Sequence, residues 1–230
     1  KSFKTFREIL PEPRNDWPPE IQKIWLNLGD LTIQDYAGEE GDRYSVEKLL
    51  SALLVRLNDR AREILSDRVF PLENRGTLEE LGRRLGVTRE RIRQIEKKSL
   101  VVLEWVRDSA EHGPVMRRAN SLRAKLGVVL PLNDEKLTEA MKESVADLKM
   151  DSQAVSFCSK LLLWLAGPYK CRHGWLTSVD DIRLNSERSL LEQMDERGLI
   201  QEEVIGPTLN ELGIDSRHHD AWIRALGNFQ

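Results

Sequence analysis

The sequence predicts a mainly α-helical chain. A helix-turn-helix domain comes first, followed by a second mostly helical module with a short β-hairpin near residues 168–178. Three observations predict this. From Ser45 onward, apolar residues recur at helical spacing. Between Thr77 and Leu100, two capped helical segments are joined by a short turn containing Gly86. Around Gly167–Ser178, Tyr169 and Trp175 flank a turn-rich stretch that carries the one clear β pattern. Helix, helix, hairpin, helix is an order compatible with a winged-helix module. A length of 230 residues suffices for one large or two small cores. The reading divides it into an N-terminal extension and linker (1–44), the helix-turn-helix domain (45–112) and the C-terminal helical module (113–230).

In chain order, Pro11, Pro13, Pro18 and Pro19 predict a loop-like opening that no helix crosses. Ile21, Ile24, Trp25 and Leu28 then form a short helical cluster ending at Gly29, and residues 37–43 read as a polar linker. Leu49, Leu50, Leu53, Leu54 and Leu57 make one apolar stripe. Asn58 is placed to cap a following helix that buries Ala61, Ile64, Leu65 and Val69. Beyond Gly113–Pro114, helices are expected at 115–126, 133–148 and 152–166. After the hairpin, three more are expected at 186–197, 201–212 and 217–226.

Composition narrows the function classes. Hydrophobic residues at 40% and charged residues at 32% fit a folded soluble chain rather than a disordered one. The longest apolar run, Leu161–Ala166, is too short to cross a membrane. The charged start through Lys4, Arg7 and Glu8 does not read as a secretory signal. Cys158 and Cys171 alone make no disulfide scaffold and fit a reducing, cytoplasmic setting. Lacking an initiator Met, the chain reads as a piece of a longer protein. Net charge is −3, but unevenly spread: residues 56–107 carry 13 basic and 9 acidic side chains, whereas both flanks are acidic. A basic middle is the asymmetry expected of a segment that touches phosphates.

Within that middle, Thr77 and Glu80 form a capping box, with Leu78, Leu81 and Leu85 inward. Gly86 ends the helix in a left-handed conformation, Val87 tucks under the turn and Thr88 caps the next helix. On that helix Ile92, Ile95 and Ser99 face inward. Glu90, Gln94 and Lys97 lie opposite, flanked by Arg91 and Arg93, with Arg89 near the N-terminus. One helix fits a major groove, where Glu accepts from cytosine, Gln bridges adenine, and Arg pairs with guanine or phosphate. A lone carboxylate would be repelled by phosphates, so Glu90 among arginines reads as a base reader. A solvated charged face is the plainer alternative.

Val87–Glu96 resembles the recognition helix in region 4 of the primary class of bacterial RNA polymerase sigma factors. Thr77–Gly82 resembles its supporting helix and Leu57–Leu65 its leading helix, so the similarity covers about residues 45–105. The resemblance implies binding of the −35 promoter element of double-stranded DNA. Arg89, Glu90 and Gln94 would contact bases; Arg91, Arg93 and Lys97 would contact bases or phosphates, next to Thr88. It also implies docking on the flap of the polymerase β subunit, through an apolar groove from the helices around Leu49–Leu65. Two departures stand out: about 125 residues follow the similar segment, and apolar Val101–Trp105 replaces the family's usual basic stretch.

Other chemistry is not expected. Cys158, Cys171 and His173 lack a further ligand at finger spacing, so no metal or other cofactor is predicted. His218 and His219 read as capping or solvent-exposed, and Asp180–Asp181 as a helix cap. Trp164, Trp175 and Trp222 read as core anchors. No phosphate loop or nucleophile motif occurs, so no enzyme is expected. The sequence therefore predicts a cytoplasmic, nucleoid-associated regulator that reads a −35-like element and contacts RNA polymerase. Its rivals are a polymerase-binding adaptor that reads no DNA, and a regulator whose C-terminal half is a second DNA module. Target genes, oligomeric state and trigger are not legible.

Overall fold

The computed structural model describes residues 17–30 and 45–227. The linker at 37–43, Pro11, Pro13 and the charged start lie outside the described residues. Contacts divide the chain into two compact units between Ala52 and Leu53.

In the first unit, α1 spans Pro19–Asp30. The two prolines here start a helix rather than break one. Pro19 needs no amide donor in the first turn, and the Pro18 carbonyl accepts from the amides of Ile21 and Gln22. Trp17 packs edge-on against Trp25, ring centres 5.2 Å apart. Helix α2, Val46–Arg56, crosses the division between the units.

In the second unit, Asn58 caps α3 (Asp59–Ile64), its side chain accepting from the Ala61 amide at 2.9 Å. The helix widens into a π-turn over Leu65–Val69. Ala61, Ile64 and Leu65 are buried as expected; Val69 is only half-buried. Next come α4 (Leu78–Leu85) and α5 (Arg89–Asp108). The apolar residues after Lys98 extend α5 without a break. Leu103 and Val106 point inward, and Trp105 stacks under the Arg56 guanidinium and against His112.

A 3-10 turn at Ala110–His112 leads into the C-terminal half. Its order is α6 (Gly113–Leu126), β1 (Val129–Pro131), α7 (Glu135–Glu143), α8 (Ser152–Ala166), β2 (Lys170–Arg172) and β3 (Trp175–Thr177). β3 lies between β1 and β2, antiparallel to both. Helix, strand, helix, helix and hairpin in this order make a winged-helix-like module. The sequence reading missed one strand: Val129–Pro131 is too short to show a period of two, and its partner lies far along the chain. The hairpin itself was legible, because His173 and Gly174 at φ 52° and 77° form the two-residue turn that such hairpins favour.

α8 is the central beam of this half. Eight of its side chains, Phe157, Cys158 and Leu161 among them, are buried. Each large one contributes roughly 1.5–3 kcal/mol over exposure. Burial also pushes the Cys158 thiol up to about 11, so it behaves as a core residue.

Helices α9 (Ile182–Leu191), α10 (Glu202–Glu211) and α11 (His219–Leu226) close on the sheet. Trp175, Ile182, Leu209, Ile214 and Trp222 form their core. α9 starts and stops earlier than the sequence suggested. Asp181 does occupy its N-cap position, but at φ 62° with no capping hydrogen bond, while Asp180 pairs with Lys170 at 2.5 Å. The histidines are not solvent groups. His218 is buried with Nε2 3.1 Å from the Asp134 carboxylate, and His219 Nε2 lies 3.0 Å from the Ile214 carbonyl. Ile214 lies five residues before His219, but Asp134 is brought to His218 only by tertiary folding.

Candidate nucleic-acid interface

The geometry of the helix pair is set by a few short-range devices. The Thr77 hydroxyl accepts from the Glu80 amide at 3.1 Å, and the Glu80 carboxylate accepts from the Thr77 amide at 2.9 Å. Those bonds, the backbone one foremost, hold the Glu80 carboxyl below the usual carboxylate range. Gly86, at φ 64°, ends α4 in the left-handed region, and the Gly86 and Val87 amides both turn back to the Gly82 carbonyl. A Cβ on Gly82 would come within 2.8 Å of the Val87 carbonyl oxygen, so only glycine lets the turn close this tightly. Thr88 then caps α5 by accepting from the Arg91 amide at 3.2 Å.

Ile64, Leu81 and Ile92 meet in a small core, ringed by Leu78, Leu85, Val87 and Ile95. Two ionic latches fix α4 and α5 on the preceding helix and its π-turn. Arg84 holds Glu63 at 2.8 Å and also binds Asp67. Arg68 holds Glu96 at 2.8 Å and the Gly76 carbonyl at 2.7 Å. Sequence spacing gave no sign of either latch, since the partners come from different elements.

With the inner side fixed, the outer side is open. Thr88, Arg89, Glu90, Arg91, Arg93, Gln94 and Lys97 are all exposed on α5, and no described element covers them. Arg89 and Lys97 make no ion pair with any described residue. Glu90 is not the lone carboxylate that the sequence suggested. Arg93 grips it with two hydrogen bonds of 2.7 and 2.8 Å, and Gln94 reaches it at 3.4 Å. The pair lies three residues apart on one helix face, the spacing at which Arg and Glu find each other. It holds the Glu90 carboxyl below its ordinary range.

Residues 53–104 match sigma-70 region 4. The resemblance read from the recognition helix thus holds, on nearly the same residues. Over 92 residues the chain is 42% identical to the RNA polymerase sigma factor RpoH of Zymomonas mobilis, covering 40% of this chain and 30% of that protein. Over 102 residues it is 44% identical to the sigma factor SigA of Listeria monocytogenes, covering 41% and 27%; SigA of Listeria innocua gives the same figures. The chain therefore spans less than a third of the length of these relatives. No solved structure matches it.

The helices around Leu49–Leu65, to which the resemblance assigns a flap-docking groove, bury Leu53, Leu57, Ile64 and Leu65 but leave Val55 85% exposed.

Proposed function

We propose that this chain is a promoter-recognising, RNA polymerase-associated DNA-binding protein, active in the cytoplasm on the nucleoid. In this reading residues 45–112 are the module that reads a −35-like element, and residues 113–230 are an attached winged-helix-like module. The supporting observation is the open face of α5. Six polar or charged side chains point outward from a helix whose other side is packed and latched and whose start Thr88 caps, in the segment that matches region 4.

Arg89, Glu90 and Gln94 would meet base edges; Arg91, Arg93 and Lys97 would meet bases or phosphates, beside Thr88. The Glu90–Arg93 pair gives Glu90 a second role: it holds both side chains in one geometry before DNA arrives. Exchanging Arg93 for a cytosine amino group, or keeping both, lets the pair read bases without stranding a charge. Selecting bound sequences from a random duplex pool tests the reading. Enrichment of a −35-like hexamer is expected, and an unenriched pool rejects it.

The adaptor reading draws on a separate observation. Val101 and Trp105 lie one turn apart on α5 and are 57% and 39% exposed, an apolar strip where region 4 relatives are basic by the resemblance. Polymerase binding retained by an Arg91→Ala/Arg93→Ala variant, with no footprint from the parent chain, would favour it.

A further inference from the structure

A concave pocket of about 520 Å³ opens where the region 4 segment meets the C-terminal half. One wall comes from the loop after the π-turn and from the end of α5; the other comes from α6, α8 and the start of β2. Four cations line it, Arg75, Arg107, Arg123 and Lys170, and none of its lining residues is acidic. This is unusual in a chain whose overall charge is −3. Arg75 and Arg107 make no ion pair with any described residue, and Arg123 only reaches the Gly167 carbonyl, at 3.5 Å. Lys170 is held by Asp180, and Glu73, which is not among the lining residues, accepts from the Cys171 thiol at 3.1 Å and keeps its charge.

The remaining wall is aromatic. The half-buried Trp164 indole lies under the Arg107 guanidinium, 4.8 Å from ring centre to charge. Tyr169 is tied to the Gly127 carbonyl at 3.1 Å, and Asn120 offers an exposed amide. Lining cations with no acidic residue among the lining call for an anion, an arginine stacked on an indole offers a flat face to a ring, and an amide can meet the polar edge of that ring. A pocket of a few hundred cubic ångströms takes one small molecule.

We propose that this pocket binds a nucleoside phosphate, its base stacked on the Arg107 guanidinium that covers Trp164 and beside Tyr169, and its phosphates on Arg75 and Arg123. Because the walls belong to both halves, the ligand braces them together and is a signal to which DNA binding at the distant end of α5 can respond.

The test titrates the full chain with fluorescent ATP and GTP analogues. Unlabelled nucleotide, nucleoside, inorganic phosphate and a short single-stranded oligonucleotide serve as competitors, and thermal melts are run in parallel. Saturable nucleotide binding with a raised melting temperature is expected, weakened by salt. Nucleoside and inorganic phosphate should compete at least about tenfold less well, having lost one half of the recognition. Asn120→Asp and Arg75→Gln/Arg123→Gln alter exposed side chains, so both should melt like the parent. Each should lose about tenfold in nucleotide affinity, with DNA affinity in the absence of nucleotide unchanged. No saturable binding, or binding unaltered in both variants, overturns the proposal. So does an oligonucleotide that outcompetes the mononucleotide, which would make the pocket a strand track.

Discussion

At the scale of single residues, the decisive feature is how side chains on the outer face of α5 are held before any ligand arrives. Arg93 clamps Glu90, while Lys97 stands apart. Exposed ion pairs contribute little to stability, so replacing Glu90 should leave the melting temperature unchanged. Glu90→Ala should instead relax preference at one base pair by about tenfold, read by competition among duplexes differing at that position. Lys97→Ala should act differently. Binding should weaken on every sequence, and the slope of log affinity against log salt should flatten by about one. If both variants gave the same pattern, the division into base readers and phosphate contacts would fail. The residue types on this face were legible from sequence, because a helix repeats every 3.6 residues. The clamp was legible only as a spacing, since which of several arginines takes a carboxylate depends on rotamers.

At the scale of elements, the helix-turn-helix depends on two glycines and two caps. Gly82→Ala pushes a Cβ against the Val87 carbonyl, a backbone atom that cannot yield, and should cost about 1–3 kcal/mol as overpacking does. Gly86→Ala meets no atom within 4 Å but is strained by its φ of 64°, and should cost about 1–2 kcal/mol. Denaturant melts of the two variants measure both. Thr77→Ala should cost about 1 kcal/mol by removing the capping hydroxyl.

The capping box also makes a pH prediction. The Glu80 carboxyl is lowered in the folded state, so its contribution is present above the usual carboxylate range and is lost as pH falls through the folded value. Glu80→Gln, which removes the titrating carboxyl, should therefore shrink the loss of stability on acidification, measured as melting temperature against pH. These devices could be read from sequence because they are local. Thr77, Glu80, Gly86 and Thr88 act within five residues of their partners. The Arg68–Glu96 latch, β1, and the burial of His218 against Asp134 could not be read. Each joins residues brought together only by tertiary folding.

At the scale of the whole second unit, the region 4 segment does not stand alone. Phe70 packs edge-on against Phe157 with ring centres 5.3 Å apart, and Arg107 covers Trp164. These contacts tie the helix-turn-helix to α8, the beam of the C-terminal half. The sequence reads as a helix over 152–166, but helical spacing says nothing of which surface Phe157 meets. One consequence is cooperative unfolding: a single calorimetric transition is expected for residues 53–227. Phe157→Ala should lower its midpoint through a loss of about 3–5 kcal/mol. Two separated transitions in the parent chain would show that the halves are independent.

The central claim is that the outer face of α5 reads base pairs. It is tested most directly by fluorescence titration of the chain with a labelled duplex carrying a −35-like hexamer, beside a scrambled duplex of equal composition, at physiological salt. The account predicts tighter binding of the hexamer duplex, by about a thousandfold or more for specific over non-specific sites, and loss of most of that margin in Glu90→Ala/Gln94→Ala. Equal affinities for the two duplexes would contradict it.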